Sequence, residues 1–461
     1  MEPGVPPGGI GMKQVANLRA STAPVRSASC LPPRQARTPA TTTALAPIRL
    51  AVLRNVVPSS RLLPAYRPIR KARPAPADFE DPSLPPRDPL RWLKLATTIV
   101  EQASRERPAD TLLRQHLRDA GRLSNEDAAQ TSQAVFAYFR WLGWLDTSLK
   151  LESQIRSALE RTAEFAMHPQ TFRDADLLAH TLPAWVNDAV PVSAAWLRTI
   201  QAEPTLWLRV KPGRLQALAQ VLGHNRTSPL PDALAYFGEE DLFRRPEFHA
   251  GEFEIQDVAS QAVGMACGAK PGETWWDACA GEGGKTLHLS VQMQGKGMIW
   301  ASDRAEWRLK KLKLRTARAK CFNYRAAQWE GGTKLPTKTR FDGVLVDAPC
   351  TGLGTWQRNP HARWTATPED ARELAVVQAQ LLHHAAPAVK PGGKLIYSVC
   401  TLTRAETVEV AAAFQAAHPE FTPLPLANPF HSHEPAQPQQ LLWPHKTGGG
   451  GMFIAGWRRN V

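Results

Sequence analysis

Hydrophobic residues recur with two different spacings along this chain. From residue 89 to about residue 171 they return every three or four positions, as Val135, Phe139 and Leu142 do. This spacing places them on one face of an α-helix. Ser124 precedes this run and carries the type of side chain that accepts from the free N–H groups of a helix start. We therefore predict a small helical bundle for residues 89–171.

From about residue 256 short apolar runs alternate with helical stretches. The predicted strands are Thr274–Ala280, Gly297–Asp303, Phe322–Gln328, Phe341–Ala348, Lys394–Cys400 and Met452–Trp457. The predicted helices between them are 284–294, 304–319, 368–389 and 404–418. Strands that alternate with helices form a doubly wound, mostly parallel sheet. We predict a Rossmann-like α/β domain for residues 256–461, and a small α+β subdomain for 172–255 around an alternating strand at 206–210.

Residues 1–88 differ in composition from the remainder of the chain. They are rich in Pro, Arg, Ala, Ser and Thr and show no sustained hydrophobic period, so we predict a disordered basic extension. The same acid-poor composition fits an organellar transit peptide, and a basic RNA-tethering tail is a further alternative. Without organelle import we expect a cytoplasmic protein. No run of eighteen apolar residues is present, and we expect no membrane span.

The net charge of +14 is concentrated in this extension. Residues 1–77 contain twelve Lys or Arg and one acid, Glu2. The remaining residues contain 44 basic and 41 acidic side chains, so they are nearly neutral. Any phosphate-binding surface on the folded part must therefore be local, and the overall charge alone does not establish one.

Six cysteines are scattered over the 461 residues. They form no Cys-x-x-Cys pair and no zinc-ligand spacing, so we expect a reducing compartment, no disulfide framework and no metal site. Cys350 and Cys400 each follow an apolar run that reads as a β-strand. The carboxyl ends of parallel strands are where open α/β sheets bind ligands, so both thiols are predicted at that edge.

A glycine-rich turn follows the first predicted strand of the α/β domain. Glycines at a strand–helix turn let the backbone approach a ligand closely, and the helix that follows presents free N–H groups. The spacing matches neither a Walker loop nor Gly-x-Gly-x-x-Gly. Asp303 ends the next strand, where a carboxylate accepts from ribose hydroxyls in nucleoside-binding folds, although it could also cap the helix that follows. With no pyrophosphate loop, S-adenosylmethionine fits best as the cofactor.

Paired thiols suit the methylation of a pyrimidine carbon. C5 of cytosine is a poor nucleophile, but addition of a thiolate to C6 makes C5 enamine-like, and covalent catalysis divides a hard step into easier ones. The base then needs charge control at N3 and N4, a role for Asp347. A second thiol could assist loss of the C5 proton and release of the first sulfur. The alternative is that these cysteines are small buried hydrophobes.

These residues lie within sequence blocks that resemble the RsmB/Sun-type RNA cytosine-C5 methyltransferases. The matching blocks are Gln256-Asp257-x-Ala259-Ser260-Gln261, Asp277-x-Cys279-Ala280-x-x-Gly283-Gly284-Lys285-Thr286, Asp347-Ala348-Pro349-Cys350-Thr351-Gly352, Arg358-Asn359-Pro360-x-x-Arg363-Trp364, Lys390-Pro391-Gly392-Gly393 and Tyr397-Ser398-x-Cys400-Thr401, with Glu406 following. Residues 89–170 resemble the NusB-like RNA-binding domain of the RsmB branch, and 172–255 resemble its linker region.

The resemblance implies a class I methyltransferase fold and unequal roles for the two thiols. Cys400 is then the nucleophile and Cys350 helps to release the product. The opposite assignment is that of DNA cytosine methyltransferases, whose Pro-Cys-Gln motif is not matched here because Thr351 follows Cys350. The residues implied for the cofactor pocket are Cys279, Ala280, Gly281, Glu282, Gly283, Gly284, Lys285, Asp303, Gln328 and Asp347.

Three positions depart from the family pattern. Gly281-Glu282 replaces the usual Ala-Pro, which we interpret as a tolerated variant. Gln328 stands where the family usually carries an Asp, and its amide oxygen could still accept from the adenine amino group. The turn at 448–451 consists of four glycines and lacks the family's Asp, a change that we interpret as structural.

The prediction is therefore a monomeric S-adenosylmethionine-dependent enzyme that methylates C5 of a cytosine in RNA. Ribosomal RNA is the expected partner, with the target base unstacked in a loop or at a stem end. The basic side chains of 304–320 could contact phosphates or could form a solvated face. Two alternatives stay open: a transfer-RNA cytosine-C5 methyltransferase, and a non-catalytic RNA-binding or ribosome-assembly factor that has kept the fold.

Overall fold

The computed structural model describes residues 88–119, 123–431 and 433–461. The predicted basic extension therefore lies outside the described residues, apart from Asp88. The amino-terminal part is helical, as predicted, with α1 Arg91–Gln102, α2 Ala109–Asp119, α3 Asn125–Trp141 and α4 Leu151–Met167. Ser124 is the N-cap of α3, and its hydroxyl accepts from the Asp127 amide at 3.0 Å.

Three further helices extend this bundle beyond the predicted boundary at residue 171. They are α5 Asp174–His180, α6 Val186–Ala189 and α7 Ala194–Gln201. Trp196 and Leu197 of α7 are fully buried in the same core cluster as Trp141 of α3 and Phe165 of α4. The predicted α+β subdomain of 172–255 is therefore too long at its start, because apolar side chains of α5–α7 complete the helical core.

The α+β subdomain is smaller than predicted and is built on a four-stranded antiparallel sheet. Its strands are β1 Leu206–Val210, β2 Asn225–Thr227, β3 Ala233–Tyr236 and β4 Phe253–Ile255, in the order β2-β3-β1-β4. Helices α8 Leu215–Leu222 and α9 Pro246–His249 connect them. Strand β4 leads directly into the α/β domain.

An eight-stranded sheet forms the centre of the α/β domain. Its strands are β5 Thr274–Asp277, β6 Met298–Asp303, β7 Tyr324–Gln328, β8 Phe341–Asp347, β9 Val389–Val399, β10 Phe421–Pro423, β11 Gln439–Leu442 and β12 Met452–Arg459. The order is β10-β12-β9-β8-β5-β6-β7, with β11 also paired to β12. Strands β5 to β9 are parallel, and β12 runs antiparallel to β9. The order reverses between β5 and β8, which is the position where doubly wound sheets bind ligands.

The helices of this domain cover both faces of the sheet. They are α10 Val258–Cys267, α11 Gly284–Gln292, α12 Glu306–Arg318, α13 Pro360–Thr365, α14 Pro368–Ala385, α15 Val408–Ala417 and α16 Pro444–Thr447. All six predicted strands and all four predicted helices are present, with ends shifted by several residues. The sequence pattern missed β10 and β11, because these strands are too short to show an alternation of apolar and polar residues. Within the described ranges, no helix is long and apolar enough to cross a membrane.

The segment after the Cys350 turn joins the α/β domain to the helical domain. Arg363 in α13 is fully buried. It donates to the carbonyls of Arg140, Thr181 and Ile200 at 3.1–3.3 Å and to Gln201 Oε1 at 2.9 Å. No carboxylate lies within ion-pair distance of it in the part of the chain that the structure describes. Burial lowers the pKa of Arg363 to about 9, so it remains charged at neutral pH.

Replacing Arg363 by methionine is expected to destabilise the protein strongly. The side chain would keep much of its volume, but four buried acceptors at the ends of the helices around it would lose their donor. Each unpaired buried acceptor costs about 1–3 kcal/mol, so the midpoint of thermal unfolding should fall clearly. The matched control is Arg372→Met, because Arg372 is exposed and forms a surface ion pair with Glu369. An R363M protein that melts like R372M would contradict this account of domain docking.

Candidate active site

A cavity of about 560 Å³ opens at the carboxyl edge of the parallel strands. It is bounded by the turns after β5, β6, β8 and β9, and both Cys350 and Cys400 line it. Of the residues predicted for the cofactor, the lining includes Cys279, Ala280, Gly281, Glu282, Gly284, Lys285, Asp303 and Asp347. Sequence reasoning missed further lining residues, among them Gln256, Ser260, Asp277, Arg304, Arg308, Arg315, Trp329 and Glu330.

The glycine turn has the backbone conformation that its sequence requires. Gly281 and Gly283 have φ values of +55° and +87°, in the left-handed region that favours glycine. The Gly281 amide donates to Asp303 Oδ2 at 3.0 Å, which ties the turn to the end of β6. Asp303 Oδ1 accepts from the Ala305 amide at 2.8 Å. Asp303 therefore supports both the turn and the start of α12, while Ala305, not Asp303, is the N-cap residue.

Asp277 gives the cavity an unpaired buried acceptor. Its carboxylate is fully buried at the end of β5, and Oδ2 accepts from the Thr286 hydroxyl at 2.6 Å. Its Oδ1 atom has no hydrogen-bond partner among the residues that the structure describes. Burial raises the pKa of Asp277 to about 7. A donor or cationic group of a bound cofactor would satisfy this oxygen, so the site fits a ligand with an ammonium group.

Two of the three departures from the family pattern have direct consequences here. Glu282 is exposed, and it accepts from Lys311 Nζ at 2.7 Å, which directs its carboxylate toward α12. Gln328 is exposed as well, and its amide nitrogen donates to the Arg304 carbonyl and to Glu330 Oε1. Gln328 is not among the lining residues, whereas Trp329 and Glu330 are. The adenine contact of Gln328 stays a prediction, and Glu330 is the acceptor nearer the cavity.

The two thiols contact each other. Asp347 of β8 is paired in register with Ser398 of β9, so the turns that follow both strands emerge side by side. The Sγ atoms of Cys350 and Cys400 are 3.3 Å apart. Adjacency of two parallel strands therefore brings together residues that are fifty positions apart in the chain.

The surroundings make the two thiols chemically unequal. The hydrogen bond from Cys350 lowers the pKa of Cys400, against the effect of burial, and Lys285 and Arg358 contribute in the same direction. The pKa of Cys350 lies well above its usual range, because of its hydrogen bond with Cys400, its burial, and the negative charges of Cys400 and Glu406 nearby. This pair therefore favours a thiolate on Cys400 beside a protonated Cys350.

Asp347 is held rigidly beside the thiols. Its Oδ2 atom accepts from Lys285 Nζ at 2.6 Å and its Oδ1 atom from the Ser398 hydroxyl at 2.7 Å. Burial lowers the pKa of Lys285, but Asp347 more than offsets this, so the net direction is upward. Lys285 is consequently charged, and its Asp347 partner can still accept a further hydrogen bond from a bound base.

The four-glycine turn at 448–451 packs against the Cys350 turn. The Gly354 amide donates to the Cys400 carbonyl at 3.0 Å, and the Gly451 amide donates to the Gly354 carbonyl at 2.7 Å. A Cβ atom on Gly354 would lie only 2.1 Å from the Gly451 carbonyl oxygen. The contact requires glycine on both sides, which agrees with the structural interpretation of this departure.

Most basic residues of the predicted basic helix are engaged within the protein. Arg315 and Arg318 bind the buried Glu254 of β4, and Lys311 binds Glu282. These contacts dock the α+β subdomain and the glycine turn onto α12. The expectation that the whole series could contact phosphates is therefore wrong for Arg315 and Arg318, because Glu254 already occupies them.

Comparison with known proteins agrees with this site. Residues 265–458 match the family model described as 16S rRNA methyltransferase RsmB/F. Over these residues, here called the RsmB/F domain, the chain is similar to the RsmB/F methyltransferases. The cofactor expected from the sequence, S-adenosylmethionine, agrees with this match. The RsmB/F domain thus contains both thiols, the glycine turn and Asp347.

Curated relatives extend the likeness beyond the RsmB/F domain. The probable ribosomal RNA small subunit methyltransferase B of Synechocystis is 35% identical over 276 residues, which cover 56% of this chain and 60% of that protein. The ribosomal RNA small subunit methyltransferase B of Thermus thermophilus is 37% identical over 207 residues, covering 44% and 49%. The chain thus spans about half to three-fifths of the length of these two relatives.

Solved structures share the fold. The crystal structure of PH0851 superimposes with a TM-score of 0.67 at 21% identity, covering 81% of this chain and 99% of that one. NSun6 from Pyrococcus horikoshii, solved with SFG, gives a TM-score of 0.50 at 19% identity and covers 57% and 93%. At these identities the likeness supports the Rossmann-like architecture around the RsmB/F domain and nothing finer.

Proposed function

We propose that this protein transfers a methyl group from S-adenosylmethionine to C5 of a cytosine in RNA, and that the RNA is ribosomal. The observation that carries the proposal is the pair of thiols in contact at the edge of the cofactor cavity. A carbon atom that is already nucleophilic can accept a methyl group from the cofactor without help from a cysteine. C5 of a pyrimidine is a poor nucleophile, so its methylation needs a group that adds to C6. The family match and the curated rRNA methyltransferases support the substrate class.

Residues of the cavity would hold the cofactor as follows. Asp303 suits ribose hydroxyls, and the unpaired Asp277 oxygen suits the ammonium group. When bound, S-adenosylmethionine supplies the electrophilic methyl group that C5 of the base accepts.

The chemistry at the base falls to Cys400, Cys350 and Asp347. The Cys400 thiolate adds to C6 and forms the S–C6 bond, which leaves C5 electron-rich. Asp347 accepts from the N4 amino group and orients the ring, with Lys285 holding the carboxylate in place. Once Cys400 is bonded to C6, the thiolate that raises the pKa of Cys350 is gone, and Cys350 releases its proton to solvent through the cavity that it lines. After C5 is methylated, the C5 proton passes to the resulting Cys350 thiolate. The electrons of that C–H bond re-form the C5–C6 double bond and expel the Cys400 thiolate.

Methyl transfer to RNA tests this function directly. The full chain, incubated with labelled S-adenosylmethionine and 16S rRNA lacking modification, is expected to label a single cytosine that resists bisulfite conversion. Transfer RNA in a parallel reaction distinguishes the tRNA alternative, since labelling of tRNA instead would redirect the substrate assignment. RNA binding without label in either reaction would favour the non-catalytic assembly factor. The full chain is needed because the helical domain shares a core with the Cys350 turn.

A further inference from the structure

A buried carboxylate connects the turns that carry the two thiols. Glu406 lies in the loop between β9 and α15 and has no exposed surface. Its Oε1 atom accepts from the Thr351 amide at 2.8 Å and from Gln378 Nε2 at 3.1 Å. Its Oε2 atom accepts from the hydroxyls of Thr351, Thr401 and Thr403 at 2.6, 3.1 and 2.8 Å.

The donors to Glu406 are the chain neighbours of both cysteines. Thr351 follows Cys350 directly, and Thr401 follows Cys400 directly. Their hydroxyl oxygens also lie 2.9 Å from each other. Gln378 of α14 donates to the Pro349 carbonyl as well, so the residues on both sides of Cys350 are held by one network.

We propose that Glu406 is a positioning residue that holds the Cys350 and Cys400 turns together and thereby sets the contact between their sulfur atoms. This inference rests on the proposed function for its catalytic consequence, although the geometry of the thiols can be measured without RNA. Glu406 does not line the cavity, so it touches neither substrate nor cofactor. Its effect passes through the backbone of the two turns.

The physical reason is the cost of burying a carboxylate. An isolated ionised carboxylate away from water is strongly unfavourable, and it persists only when hydrogen bonds replace its hydration. Five groups donate to the Glu406 oxygens. Three of them belong to the residues that directly follow the cysteines, namely the amide and hydroxyl of Thr351 and the hydroxyl of Thr401. Separating the turns that carry the cysteines would leave the buried carboxylate without some of its hydrogen-bond donors. The network therefore resists any movement that would part the thiols.

Alanine and glutamine at position 406 should differ in a predictable way. Glu406→Ala removes the acceptor and leaves five donors without it. Glu406→Gln keeps an oxygen for the Thr351 amide and Gln378, while its NH₂ group faces three hydroxyls, which can rotate to accept. We expect E406A to lower kcat about 100-fold, the effect of a misplacement of roughly 1 Å at a reacting centre. E406Q should retain most of the activity, and the dissociation constant of S-adenosylmethionine should stay unchanged in both.

A second measurement needs no RNA. Cys400 faces Cys350, Lys285, Asp347 and Arg358, and the bond from Cys350 is the largest influence that lowers its pKa. If E406A loosens that contact, the pH at which Cys400 becomes half-alkylatable by iodoacetamide should rise, and its alkylation rate at pH 7 should fall several-fold. Mass spectrometry of the Cys400 peptide measures the alkylated fraction of this thiol at each pH and time. The thiol readout distinguishes failure of this proposal from failure of the proposed RNA chemistry.

Asp342→Asn is the matched control. Asp342 also accepts from a backbone amide, that of Thr274 at 2.8 Å, but it lies at the opposite end of β8 from Asp347. D342N should leave kcat and the alkylation profile as in the wild type. Unchanged kcat and alkylation in E406A would overturn the proposal, as would a kcat loss matched by an equal loss of cofactor binding. If E406A fails to fold, Glu406→Asp decides, because its carboxylate is one methylene too short to meet the donors of both turns. A reduced alkylation rate with intact cofactor binding in E406D supports the proposal, and a wild-type rate overturns it.

Discussion

Replacing Cys400 by alanine is expected to lower the turnover of RNA methylation by at least about 10³-fold, because the variant has no group to add to C6. Without that addition, C5 of cytosine keeps its poor nucleophilicity. Binding should survive, since Cys400 is only one of many residues around a cavity of about 560 Å³. Turnover is measured with labelled cofactor, and binding by calorimetry with S-adenosylmethionine.

Cys400→Ser sharpens this test, because it keeps the size of the side chain and replaces a lowered-pKa thiol with a weakly acidic hydroxyl. It should be nearly as inactive as C400A. Cys321→Ala is the matched cysteine control, since Cys321 is buried and is not among the residues that line the cavity. Near-normal turnover in C400A and C400S would show that Cys400 is not the nucleophile.

Replacing Cys350 by alanine is expected to trap the enzyme on its substrate. Cys400 can still add to C6 and the base can still be methylated, but the C5 proton loses its acceptor. The S–C6 bond then persists, and a protein–RNA adduct that resists denaturation should accumulate. Gel electrophoresis under denaturing conditions detects the adduct, and mass spectrometry of the nuclease-treated protein locates it on Cys400.

The double variant C350A/C400A is the control for this adduct and should form none. If C400A accumulates an adduct and C350A does not, the two roles are reversed. If neither variant loses turnover or traps RNA, the thiols are not catalytic. Loss of the Cys350 hydrogen bond should also raise the pKa of Cys400 toward its ordinary value. Adduct formation by C350A should therefore shift to higher pH than addition by the wild-type enzyme.

Periodicity alone was sufficient for most of the α/β domain. All six predicted strands are present because strands within a buried sheet give short apolar runs, and the helices between them carry a clear 3.6-residue period. The ends were less accurate: β9 begins at Val389, before Gly392 and Gly393, whereas the predicted strand started after them at Lys394. The strand starts earlier because Val389 pairs with Phe341 of β8, and the pairing resumes at Lys394 after an irregularity at the glycines. Such pairing depends on the neighbouring strand. Helices α5–α7 likewise belong to the helical core, beyond the boundary predicted at residue 171, because their apolar side chains pack against α3 and α4.

The chemistry divides in the same way. The sequence by itself determined which residue types stand at strand ends, because a thiol or a carboxylate that follows an apolar run can be recognised without a structure. It therefore identified Cys350, Cys400, Asp347 and the glycine turn.

Only the tertiary structure decided how these groups act on one another. The contact between the thiols, the cations that favour a thiolate on Cys400, and the buried Glu406 that joins their turns all depend on through-space distances. Pairing of β8 with β9 sets those distances, and hydrogen bonding and electrostatic energy depend on them directly.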